Sequence, residues 1–297
     1  ANAANKIMPL GDSITQGTSS GVPNEEDQVS YRKVLYDNLK TAGYVVNDEI
    51  FVGSLFSGES VPDFDPDHEG HPGWRTAEIV AGDPLEPDAG KLNEWLFAET
   101  PNIVLLHIGT NDISGDNQDW TEVEAILDVI DNYEEDPSGN AVWVILSLII
   151  DRSCDPSDLD YAACLTQSGQ TTAFNEDVFR EVWEPRRDGG VDKIVLVDME
   201  NGAGIDYNRT TDSPPGDMWD KLHPFETGYA KMADLWFTGL TQILPLADAG
   251  DPQTVTEGAT VTLDGTGSTG RNITFLWTPS SGLGWTLSDA TAQSPTF

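Results

Sequence analysis

The chain has 297 residues, with 15 Lys and Arg against 51 Asp and Glu, for a formal net charge of -36. Such a surface repels nucleic acid and anionic lipid and disfavours strongly anionic substrates. No apolar run approaches the roughly 18 residues of a membrane span, and 9% aromatics with regular apolar periodicity exclude a disordered acidic chain.

In chain order, Lys6 to Leu10 is a short apolar strand that stops at Gly11. Val29 to Ala42 has helical spacing through Tyr31, Val34, Leu35 and Leu39, with Gly43 as its stop signal. Tyr44 to Val52 reads as a strand, Asp88 to Phe97 as a helix, and Asn102 to Ile108 as a strand buried on both faces. Trp120 to Tyr133 is the next helix, followed by strand Val142 to Leu148, helix Thr171 to Trp183, strand Lys193 to Val197 and helix Phe225 to Leu244. This alternation predicts an α/β fold: a three-layer α/β/α sandwich on a five-stranded parallel sheet in the flavodoxin-like order 2-1-3-4-5. From Thr254 the residues become Thr-, Gly- and Ser-rich, with strand-like alternation at Thr260–Leu263 and Thr274–Trp277. Residues 1–246 are therefore expected to form the main domain and 247–297 a partial all-β appendage, too short for a complete sandwich of about 100 residues.

Ligands of such sheets bind beyond the carboxyl ends of the strands, and the candidate chemical residues follow strands. Ser13, in Gly11-Asp12-Ser13-Ile14, sits at the first strand-to-helix turn, where its own N–H can face an oxyanion. Asn111, in Gly109-Thr110-Asn111-Asp112, can donate to the same developing charge. Asp220 and His223 lie three apart after the fifth strand. That spacing lets the carboxylate hold one ring nitrogen while the other faces Ser13. Taken singly, Ser13 also reads as a helix cap and His223 as a surface histidine.

Together these blocks resemble the SGNH (GDSL) hydrolase family over residues 5 to 244. The resemblance implies a serine esterase with catalytic Ser13, Asp220 and His223, and an oxyanion hole made by Ser13, Asn111 and a glycine. Gly73, in His71-Pro72-Gly73-Trp74, is the candidate glycine, with Gly70 and Gly53 as rivals. The His-Pro-Gly-Trp form resembles the branch of carbohydrate esterase family 3 acetylxylan esterases. That likeness implies O-acetyl groups on xylan or a related polysaccharide as substrate. A broad arylesterase or lipase acting on small esters and a non-catalytic adhesion module are the alternatives. The tail resembles the first half of a PKD or immunoglobulin-like repeat.

Several further features are expectations. Trp74 and Trp219 flank the site and offer faces for a sugar, or simply pack. Cys154 and Cys164, close together in one loop, suggest a local disulfide. The start Ala1-Asn2-Ala3-Ala4, without Met, fits a secreted chain after signal cleavage or a trimmed one, and extracellular location is expected. The charge suits either a soluble extracellular protein or adaptation to high salt. Asp63, Asp65 and Asp67, with His68 and His71, read as a solvated acidic loop. A structural calcium there is compatible with the residue types, and no catalytic step requires a cofactor or metal. Asn208-Arg209-Thr210 and Asn272-Ile273-Thr274 are glycosylation sequons, with meaning only in a eukaryotic secretory path. Oligomeric state is not readable.

Overall fold

The computed structural model describes residues 5–45, 48–189, 192–245, 247–256, 258–268, 273–278 and 286–297. Val46, Asn47 and Asn272, which carry part of a predicted strand and one sequon, lie outside them.

Among the described residues, six strands form one sheet: β1 (Ile7–Gly11), β2 (Leu55–Phe56), β3 (Asp67–Gly70), β4 (Ile103–His107), β5 (Trp143–Leu148) and β6 (Ile194–Asp198). The order is β2-β3-β1-β4-β5-β6. All pairings are parallel except β2 with β3. The helices are α1 (Ser13–Gln16), α2 (Arg32–Thr41), α3 (Thr76–Ala81), α4 (Leu92–Glu99), α5 (Thr110–Ser114), α6 (Thr121–Glu135), α7 (Tyr161–Asp177), α8 (Glu184–Gly189) and α9 (Glu226–Thr241), with a π-helical stretch at Val178–Trp183 joining α7 to α8.

Strand alternation sends side chains to opposite faces, and both faces are covered. Met8, Leu10, Val104, Leu106, Val144 and Leu146 enter one buried cluster with residues of α3, α4, α6 and α7. On the other face, Gly239 of α9 lies so close to Val197 and Ile145 that a Cβ would meet them at 2.9 and 3.0 Å. Tyr31, just before α2, packs on Trp236 of α9 with ring centroids 5.7 Å apart. This is the three-layer α/β/α arrangement.

The second sheet position departs from the expectation. Among the described residues of the predicted strand Tyr44 to Val52, Phe51 bridges β1, opposite Ile7. The rest of that position is filled by β3, Asp-His-Glu-Gly, which carries no apolar signal. Its two buried side chains, His68 and Glu69, each have partners. The His68 ring bonds Ser57 Oγ at 2.9 Å, and Glu69 accepts from the Ser54 N–H and hydroxyl at 2.7 Å each. The acidic loop ahead of it is also not simply solvated. Asp65 is buried and accepts the N–H groups of Ile50 and Phe51 at 2.6 and 2.7 Å, so it holds the Phe51 segment against β1.

Helix α7 begins ten residues before the predicted Thr171. Its first turn holds Cys164, which is disulfide-bonded to Cys154 with Cα atoms 5.6 Å apart. No helix among the described residues is long and apolar enough to cross a membrane.

The chain divides into two compact units, Ala1–Gly239 and Leu240–Phe297. In the second, Val261 and Phe297 exchange both N–H···O bonds at 3.0 Å, and Leu263 N–H donates to Pro295 O at 2.9 Å. Trp277 N–H bonds Ala290 O at 2.9 Å, without a continuous strand among the described residues.

Candidate active site

The register of three adjacent strands sets the site. Gly11 at the end of β1 lies opposite Gly70 of β3 and His107 of β4. The segments leaving these three residues carry Ser13, Gly73 and Asn111 along one edge of the sheet. Gly11 is required there: a Cβ would stand 2.2 Å from the His107 carbonyl oxygen. Asp12 then ends the strand, and its Oδ1 accepts the Ile14 N–H at 2.9 Å. That bond caps α1 and turns Ser13 out of β1.

Ser13 Oγ lies 3.0 Å from His223 Nε2. On the far side of the ring, Nδ1 is 2.9 and 3.0 Å from the two Asp220 oxygens. Asp220 Oδ1 also accepts the N–H groups of Leu222 and His223 at 2.7 and 2.8 Å, which closes the Asp220–His223 segment on itself. Burial works to raise the Asp220 pKa, but the bonds from His223 and these backbone N–H groups outweigh it and hold the carboxyl below its ordinary range. An ionised Asp220 requires the proton on Nδ1, which leaves Nε2 to accept from the Ser13 hydroxyl.

His71–Trp74 forms a turn in which Trp74 N–H bonds His71 O at 3.2 Å, with Gly73 at φ +83°. Pro at the second position and Gly at the third are what a type II turn needs. The Gly73 N–H finds no acceptor among the described residues, and a Cβ there would meet nothing within 4 Å. The rival glycines serve packing: a Cβ at Gly70 would strike Gln16 N at 2.6 Å, and one at Gly53 the His68 carbonyl oxygen at 2.1 Å.

Both ends of the turn are tied to the site. His71 N–H bonds Gly11 O at 2.9 Å, and Asn111 Nδ2 donates to Trp74 O at 2.9 Å. The second amide hydrogen of Asn111 remains available. The neighbouring Asp112, buried, accepts the Thr76 N–H and hydroxyl at 3.0 and 2.9 Å and so pins α3 behind the turn.

Trp74 is not a sugar platform. It is 2% exposed, stacks on His71 at 4.2 Å and donates its indole N–H to Glu86 at 3.2 Å. His71 is itself sandwiched between Trp74 and Trp95 and bonded to Glu69 Oε1 at 2.8 Å, so this pile supports the turn from below. Trp219, by contrast, stays 45% exposed. Among the described residues no group of three or more His, Cys, Asp or Glu is gathered to hold a metal ion.

Two residues that the sequence reading passed over matter here. Arg32 is wholly buried and bonds the carbonyls of Thr15 and Gln16 in the turn after Ser13. Asp12 is wholly buried, and its Oδ2 has no partner among the described residues. Burial, opposed by the Ile14 N–H and the attraction of His223 and aided by repulsion from Asp112, pushes the Asp12 carboxyl up to about 7.

This shift has a measurable consequence. A carboxyl with a raised folded-state pKa holds its proton more tightly when folded. Stability from this group is therefore full below the unfolded value of 3.8 and is lost as pH rises toward 7. The full loss is on the order of 4 kcal/mol. Asp12→Asn keeps the acceptor for Ile14 and removes the titration. The difference in Tm, variant minus wild type, is expected to grow between pH 5 and pH 8 in thermal melts. A flat difference would contradict a neutralised buried carboxyl.

Residues 7–236 match the GDSL-like lipase/acylhydrolase family. A multidomain esterase of Ruminococcus flavefaciens is 28% identical over 258 residues, which are 82% of this chain and 29% of that protein. The chain thus spans less than a third of that relative's length. A family 3 carbohydrate esterase of Clostridium thermocellum is similar in structure, with 29% identity, a TM-score of 0.54, and coverage of 79% of this chain and 94% of that one. A family 3 carbohydrate esterase of Talaromyces cellulolyticus has 25% identity, a TM-score of 0.55, and coverage of 80% and 97%.

Proposed function

Because this chain belongs to the GDSL-like lipase/acylhydrolase family and is an esterase of that kind, we propose that it removes acetyl groups from a neutral polysaccharide, xylan or a relative, by a Ser13–His223–Asp220 acyl-enzyme mechanism. The observation that carries the mechanism is the unbroken chain Ser13 Oγ–His223 Nε2 at 3.0 Å and His223 Nδ1–Asp220 at 2.9 Å.

In this reading Ser13 Oγ attacks the ester carbonyl while His223 Nε2 takes its proton. The resulting oxyanion accepts from the Ser13 N–H, the Gly73 N–H and the second Asn111 amide hydrogen. These donors are fixed before the reaction, and losing one typically costs about 10²–10³ in rate. Asp220 keeps the proton on Nδ1 and steadies the imidazolium. His223 gives its Nε2 proton to the departing sugar hydroxyl, leaving an acetylated Ser13. A water then attacks that ester, losing its proton to His223. Acetate leaves, and Ser13 recovers its proton.

The polysaccharide reading draws on the carbohydrate esterases among the structural relatives and on the charge of -36, which disfavours uronic acid polymers. The disulfide supports an oxidising, extracellular setting.

The test has two arms. Acetate release from acetylated xylan is expected. On p-nitrophenyl esters, activity is expected to fall beyond about four acyl carbons, since one missing or extra methylene changes a pocket's preference only by about 10–200-fold and several compound. A preference for longer acyl chains would favour the lipase alternative and overturn the deacetylase reading.

A further inference from the structure

An open groove of about 620 Å³ runs beside the triad, within the range of ligand clefts, about 300–1,000 Å³. One wall is the disulfide-closed loop with Asp158, Leu159 and Asp160. The other is the segment with Arg209, Trp219 and Asp220. It adjoins the triad through Asp220, which lines it, and through Trp219, whose N–H donates to the His223 carbonyl at 2.8 Å.

Its walls are held in place. Ser153 N–H bonds the Lys221 carbonyl at 2.8 Å, Arg209 bonds both oxygens of Asp158, and Lys221 pairs with Asp160. These pairs also decide the charge. Both cations of the groove are spent on carboxylates of the facing wall, and Asp220 is engaged with His223. No cation is left to attract an anionic ligand. Leu159 is fully exposed, and Trp219 is 45% exposed although its ring stacks on Phe225 and lies close to the backbone of Gly21. Two exposed apolar side chains set among hydroxyls and paired charges match the CH faces and hydroxyls of a sugar.

We propose that this groove is the subsite for the alcohol side of the ester and that it takes a neutral, uncharged oligosaccharide chain, with Trp219 and Leu159 as its contact surfaces. The inference rests on the polysaccharide reading above and extends it to a site outside the acyl-transfer residues.

Binding measures it separately from catalysis. Unacetylated xylohexaose is titrated calorimetrically against the wild-type chain and against Trp219→Ala and Leu159→Ser, with oligogalacturonate as the anionic comparison. Xylohexaose is expected to bind the wild type, about tenfold more weakly to Trp219→Ala and about threefold more weakly to Leu159→Ser, from the apolar contact each removes. Leu159 packs on nothing, so its variant retains the fold and keeps the test meaningful should Trp219→Ala melt early. No binding of xylohexaose, undiminished binding to both variants, or equal binding of oligogalacturonate overturns the proposal. Binding through the groove without acetate release from acetylated xylan would sink the deacetylase reading alone and leave the groove assignment standing.

Discussion

Ser13→Ala is expected to lower kcat/KM on p-nitrophenyl acetate by roughly 10⁴-fold or more while leaving the thermal melt unchanged. The hydroxyl has one side-chain partner, His223, and removing it breaks nothing that holds the fold. The Asp220–His223 segment keeps its shape in the variant, because Asp220 remains bonded to two backbone N–H groups and to the ring. His223→Ala should cost a comparable factor, and the double variant little more than either single one, since the two groups act as one unit. What survives is the contribution of the oxyanion donors, which these substitutions leave in place. A Ser13→Ala enzyme retaining more than about a hundredth of the wild-type rate would exclude Ser13 as the nucleophile, since a lost nucleophile costs far more than a hundredfold.

The residues of this unit were legible in the sequence for a physical reason. Ser13 and Asn111 each follow a strand that carries an apolar run, Ile7–Leu10 and Ile103–Leu106, because both faces of the sheet are covered. The end of such a run marks the ligand edge, and the three-residue spacing of Asp220 and His223 marks their pairing. What escaped was structure made by polar groups in pairs. Strand β3 is Asp-His-Glu-Gly, and its buried His68 and Glu69 are satisfied by Ser57, Ser54, His71 and the Gly70 N–H. Nothing in the local pattern distinguishes them from a solvated loop. Trp74 failed for the converse reason. An aromatic beside a candidate glycine suggests a platform, but its burial against His71, which Trp95 stacks from the other side, is a tertiary fact. Gly73 is preferred over Gly70 and Gly53 from the sequence, and backbone geometry gives the reason: Gly73 has an open N–H, while the other two fill tight contacts.

Arg32 is the most consequential of the polar groups that the sequence hid, since in a helix beginning Arg-Lys it reads as one more solvated charge. Its guanidinium is wholly buried, and burial lowers its pKa to about 10, so it remains charged at neutral pH. Among the described residues no carboxylate bonds it. It donates instead to the carbonyls of Thr15 (3.2 Å), Gln16 (3.1 Å), Gln28 (3.1 Å), Ser57 (3.2 Å) and Pro66 (2.7 Å), and to Ser57 Oγ at 2.7 Å. One side chain thus joins the turn after Ser13, the approach to α2 and both ends of the loop between β2 and β3. Arg32→Met keeps much of the volume and removes a donor from five carbonyls. Thr15 O, Gln16 O and Pro66 O keep a second donor in Ser30 Oγ, Ser57 Oγ and the Ser57 N–H, while the Gln28 and Ser57 carbonyls are left with none among the described residues. An unsatisfied buried group costs about 1–3 kcal/mol, so the loss should reach about 4 kcal/mol. For a domain of this size that is a fall in Tm of about 8 °C or more. Arg32→Lys should not rescue it, because an ammonium has three donors and no planar fork to span these acceptors. Activity should fall with the folded fraction and beyond it, since the carbonyls of Thr15 and Gln16 fix the turn that aims Ser13. If Arg32→Met melts within about 2 °C of the wild type, equivalent to less than about 1 kcal/mol, these carbonyls have found other donors and Arg32 is not the tie that holds the nucleophile's turn.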